Sequence, residues 1–157
     1  TAEVIASPDP RKVKKVVPEP SAQRRPPYEL RYVEQAEWNK GYSWSNEERW
    51  TAEDAGCFHH PTESKPLVLI INQDMGLVRD YQDILKTKKL EPTTVKERVT
   101  RYTSHVAFHL YQMYLNYRAE QEAQSKDPTA TMPTPEQMRG EINRVAATLI
   151  KVMQVSR

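Results

Sequence analysis

Hydrophobic and polar positions alternate over residues 28–33, Tyr-Glu-Leu-Arg-Tyr-Val. Tyr28, Leu30 and Tyr32 fall on one side and Glu29 and Arg31 on the other, the period of a half-buried strand. A run of five aliphatics, Leu67 to Ile71, predicts a second strand over 67–72, covered on both faces. The period then lengthens to that of a helix. Leu77, Val78, Tyr81, Ile84 and Leu85 predict a helix over about 76–88, with Asp74 as N-cap and Lys86, Lys88 and Lys89 at its carbonyl end.

After the break at Glu91-Pro92, a long helix is expected from 94 to about 124, with Thr94 and Glu97 as a capping box and Thr93 as a competing N-cap. Val95, Val99, Tyr102, Val106, Leu110, Met113 and Tyr117 form its main stripe. Phe108, Tyr111 and Leu115 add a second apolar face, and a helix apolar on most sides needs two layers to cover it. Thr134-Pro135-Glu136-Gln137 opens a last helix with Thr as N-cap, Pro at N1 and Gln at N3. Met138, Ile142, Val145, Leu149 and Met153 then repeat to the end of the chain. Gly140 inside that helix costs about 1 kcal/mol against Ala, a cost that close packing would explain.

Residues 1–27 break this order. They hold six of the twelve prolines and six basic groups (Arg11, Lys12, Lys14, Lys15, Arg24, Arg25) against three acidic ones. Proline excludes helix and inner strand, so this stretch reads as an extended basic arm or linker. The whole chain, 157 residues long, carries only +2, so its positive charge belongs to the arm. Residues 28–157 read as one domain, mainly α with a small two-strand β element (an α+β class) and three principal helices. Between the strands lie Trp38, Trp44 and Trp50, expected to pack on the helices. Ser45 and Glu48 form a capping box for a short helix over about 46–55, stopped by Gly56.

One cysteine excludes an internal disulfide framework and favours a reducing, cytoplasmic setting. The longest apolar run is five residues, far short of the roughly 18 that span a bilayer. The chain opens on Thr1 without an apolar leader and reads as a processed or excised piece.

Candidate chemistry gathers in two places. Cys57, His59 and His60 lie together in the sequence, and His105 and His109 share one face of the long helix at i, i+4. Cys57, His59, His105 and His109 would make a tetrahedral zinc set if the loop meets the helix. Otherwise these are packed imidazoles and a small buried thiol. The glutamate of a His-Glu-x-x-His zinc-protease motif is replaced by Val106. Four glycines in all leave no Gly-rich phosphate loop and no Gly-x-Ser-x-Gly elbow. No catalytic residue is assigned. The six basic groups of the arm would contact phosphates in a salt-sensitive, non-specific way, the alternative being a solvated linker.

The stretch from Trp50 to Tyr114 resembles a segment of bacterial GHKL-type ATP-binding proteins that follows the ATPase domain. The residues concerned are Asp54-Ala55-Gly56-Cys57-Phe58, Leu69-Ile70-Ile71-Asn72-Gln73-Asp74, and Ser104-His105-Val106-Ala107-Phe108-His109. Met75-Gly76 stand where that family has His-Pro. The resemblance implies a C-terminal helical module of a nucleotide-binding protein, and it carries over no ATP-site residue.

Taken together, the expected function is a non-enzymatic interaction or oligomerisation module, part of a larger protein or of an assembly. Its protein partner, or a second copy, would dock on Phe108, Tyr111, Leu115, Val145 and Leu149. The alternatives are a nucleic-acid-associated protein using the arm and a zinc-stabilised domain or small zinc enzyme; no other cofactor is expected.

Overall fold

The computed structural model describes residues 27–38, 51 and 53–155. The basic arm with its six cationic residues, the short helix expected over 46–55, Trp44 and Trp50 lie outside the described residues apart from isolated positions. Strand β1 (Glu29–Val33) leads into a single helical turn, α1 (Gln35–Trp38). Strands β2 (Gly56–His59) and β3 (Val68–Asn72) follow, then helices α2 (Gly76–Thr87), α3 (Pro92–Lys126) and α4 (Pro135–Val155). The class is mainly α with a small β element.

Among the described residues the sheet has three strands rather than two, in the order β1-β3-β2. β1 runs parallel to β3, pairing Leu30 with Leu69 and Tyr32 with Ile71. β2 runs antiparallel to β3, pairing Cys57 with Ile70 and Phe58 with Leu69. Four residues opening on glycine are too short to show a period, so β2 carried no strand signal. Gly56 is needed there: a Cβ would sit 2.5 Å from the Ile70 carbonyl oxygen and 3.2 Å from Leu110 Cδ1.

Alternation along the strands sorts two faces. Phe58, Leu69 and Ile71 join Val78, Tyr81 and Leu85 of α2, Tyr102, Val106 and Leu110 of α3, and Ile142, Ala146 and Ile150 of α4 in the main core. Val33, Cys57 and Ile70 form a second, smaller cluster on the other face. β3 is therefore covered on both sides, as five consecutive aliphatics require.

Two helix starts differ from expectation. Asp74 does not cap α2; its backbone N–H donates to Asn72 Oδ1 at 2.6 Å, and its carboxylate lies 3.4 Å from Arg79 Nη2. Met75 holds the N-cap position without a side-chain bond. α3 starts two residues early, at Pro92, because proline suits the first turn. The Thr94–Glu97 box is thereby inside the helix. The last helix begins as the sequence dictates, with Gln137 N–H donating to Thr134 Oγ1 at 3.1 Å and Thr134 N–H to Gln137 Oε1 at 2.9 Å. Gly140 faces open space, with nothing within 4 Å of a Cβ built on it, so close packing does not explain it.

Among the described residues, no helix is long and apolar enough to cross a membrane.

Candidate functional site

Helix α3 is 35 residues long, about 52 Å at 1.5 Å per residue. Its core stripe is Tyr102, Val106, Leu110 and Met113. About half a turn away, Phe108 is 57% exposed and Leu115 47%. Between them and the sheet, Tyr111 packs its ring on Tyr28, with centroids 5.0 Å apart. Tyr28 begins the β1 segment, whose Leu30 and Tyr32 are each 41% exposed on the helix-covered side. An aromatic and aliphatic band thus runs from β1 across Tyr111 to the outer face of α3.

The backbone of β1 reinforces this face. Glu29 N–H donates to Leu67 O at 2.8 Å, and Val33 O accepts from Gln73 N–H at 3.1 Å. Odd-numbered residues therefore turn their main-chain groups towards β3. The alternate residues, Leu30 and Tyr32, direct theirs to the outer edge, the arrangement by which edge strands accept another chain. Alternation of Tyr28, Leu30 and Tyr32 was visible in the sequence, but nothing there showed that they continue the Phe108 surface.

Val145 and Leu149 do not join this band. At 100° per residue, His105 and His109 lie on α3 between the Phe108 line and α4. His109 Nε2 is 3.0 Å from Glu141 Oε2 of α4. Val145 is half-buried on α4, and Leu149 packs against the main core.

A second aromatic group closes the far end of the sheet. His60, just past β2, stands 4.8 Å from the Tyr117 ring, while Phe58 meets Tyr114 edge-on at 5.5 Å. The Arg118 guanidinium lies 6.0 Å from the centre of the Tyr114 ring and donates from Nη1 to the neighbouring Tyr114 hydroxyl at 3.0 Å. An open cleft of roughly 600 Å³ lies against His60, Tyr117 and Arg118. Burial, then the Arg118 charge, holds the His60 imidazole below its ordinary range.

The zinc set is not assembled. Cys57 belongs to the cluster on the face of the sheet away from α3, and His59, two residues on, shares that face. His105 and His109 are on α3, across the sheet. Burial, and secondarily the Asp54 charge, pushes the Cys57 thiol up, which opposes a thiolate ligand. Among the described residues, no group of three or more His, Cys, Asp or Glu could hold a metal.

A buried polar hub joins the layers. Asp54 is 1% exposed, and its carboxylate accepts Thr51 N–H at 2.7 Å, Asn143 Nδ2 at 2.9 Å and two bonds from Arg139. Asn143 Oδ1 accepts Ala55 N–H at 2.8 Å, and Asn72 Nδ2 donates to Asp54 O at 2.8 Å. Every contact is internal, so the hub fixes β2 and β3 against α4. Sequence reasoning missed it because Asp54, Asn72, Arg139 and Asn143 follow no local spacing. Comparison with known families, with curated proteins and with solved structures finds no match for this chain.

Proposed function

We propose that this chain is an interaction and oligomerisation module that docks a protein layer on the outer face of α3 and the edge of β1. Phe108 and Leu115 carry the reading: two large apolar side chains, 57% and 47% exposed, continue through Tyr111 to the exposed Leu30 and Tyr32. Contiguous apolar surface of this kind marks sites of association. The edge strand adds main-chain donors and acceptors that a partner strand would satisfy.

The GHKL-type resemblance makes the covering layer a nucleotide-binding domain of the same polypeptide or a subunit of the same assembly. On this reading the chain contributes docking surface, and the nucleotide chemistry belongs to its partner. Light scattering across a concentration series tests self-docking: a mass that rises with concentration for the natural chain and stays that of one chain for Phe108→Ser/Leu115→Ser supports it. A single-chain mass at every concentration, with no binding of an apolar-surface dye that the double variant abolishes, rejects the face.

A further inference from the structure

Two turns before Phe108 along α3, three helices converge on a cleft of roughly 400 Å³ whose lining includes neither Phe108 nor Leu115. α3 lines it with Arg98, Arg101 and His105, whose spacings of three and four residues stack them along one line. Neither arginine has an ion-pair partner among the described residues. Glu97 is the one carboxylate on the lining, so two guanidinium groups outweigh it. α4 supplies the opposite wall with Leu149, Val152 and Met153. Cationic and apolar walls thus face each other.

Tyr81 of α2 completes the lining. It is 1% exposed, and among the described residues its hydroxyl is the one buried side-chain polar atom without a hydrogen-bond partner. Buried hydroxyls are nearly always paired, so an orphaned one beside a cleft points to an absent acceptor. The carbonyl end of α4 accounts for cations nearby, but not for that hydroxyl or for the apolar wall. Met153, unbranched and adaptable, lines the same cleft, so this wall can shift its rotamer to fit a ligand.

We infer that this cleft binds a small amphiphile: an anionic head, carboxylate or phosphate, held by Arg98, Arg101 and the Tyr81 hydroxyl, with a short apolar chain against Val152 and Met153. His105 adds a further donor to the head. Nothing in this site depends on the Phe108 face, so either can fail without the other.

Calorimetric titration of the full chain with octanoate, octyl phosphate, octanol and inorganic phosphate tests it. Saturable binding of octanoate or of octyl phosphate is expected, and which one binds names the head group. Arg98→Ala/Arg101→Ala should weaken it about tenfold or more, as loss of charge-assisted bonds does. Tyr81→Phe keeps the shape and should weaken it about threefold, with no fall in melting temperature. No saturable binding of either octyl anion overturns the inference. So does octanol binding as tightly, or unchanged affinity in the double arginine variant or in Tyr81→Phe.

Discussion

Arg139 grips Asp54 from 85 residues away, Nε to Oδ1 at 2.7 Å and Nη2 to Oδ2 at 2.8 Å. The Asp54 side chain is 2% exposed and that of Arg139 25%, so the arginine closes a buried carboxylate between α4 and the residues before β2. Two parallel bonds fix direction as well as distance. Removing the arginine leaves a buried charge with only the Asn143 and Thr51 donors. Arg139→Ala should therefore destabilise by about 3 kcal/mol, and Arg139→Lys should recover part of that because an ammonium cannot supply the fork. Urea denaturation midpoints of the three chains check the order.

Two backbone positions are predicted to gain stability when exchanged in opposite senses. Gly140 is exposed inside α4 with open space where a Cβ would go, so Gly140→Ala should stabilise by about 1 kcal/mol. Lys89, just past α2, has φ 55°, a left-handed conformation that favours glycine. Lys89→Gly should stabilise by about 1 kcal/mol. Thermal melts of each variant, and of both together, should show additive gains because the sites share no partner.

On the docking face, Phe108→Ser and Leu115→Ser should change monomer stability by only about 0.5 kcal/mol, since neither side chain belongs to the core. Leu110→Ser, on the opposite side of the helix and fully buried, should cost several times more. Urea unfolding at low protein concentration separates the two classes; an equal loss for Phe108→Ser would place it in the core.

Acid should weaken the fold through β2 and its exit. Burial, the Arg31 charge and His60 hold His59 below 6.5, and burial and the Arg118 charge do the same to His60. Their folded values lie below the unfolded ones, so the unfolded chain takes up protons first. Stability from this source is complete above 6.5 and is lost as pH falls through that value towards the folded ones. NMR titration of the His60 ring should give a midpoint below 6.5; a midpoint at or above it rejects the packing described around Tyr117.

Cys57 should behave as an inert core thiol. Burial and the Asp54 charge raise its pKa, so at neutral pH it stays protonated and shielded. Labelling by a thiol reagent should follow the unfolding transition in urea, and added zinc should leave the melting temperature unchanged. Labelling at full rate in the folded state would contradict the burial.

The residues that failed to announce themselves share a feature. Cys57 and the two α3 histidines looked like one ligand set because sequence shows residue type, while the sheet that separates them is made by distant pairing. Asp74 reads as a cap, but the N-cap position falls one residue later, at Met75, and the Asp74 carboxylate lies against Arg79, a one-residue choice that composition does not rank. The Asp54 hub is invisible in the sequence because its members come from the loop before β2, the end of β3 and α4.

Local physics set what the sequence alone determined: strands within 28–33 and 67–72, the three helices, the Thr134 cap, and an α3 with apolar positions on more than one side. Periodicity and capping act over a turn or a strand pair, so they can be read in order along the chain. Tertiary structure decided the third strand, the separation of Cys57 from the histidines, the Arg139–Asp54 clasp, and which apolar side of α3 stays in water. Those depend on contacts between elements far apart in the chain, where burial and pairing are settled jointly by the whole packed domain.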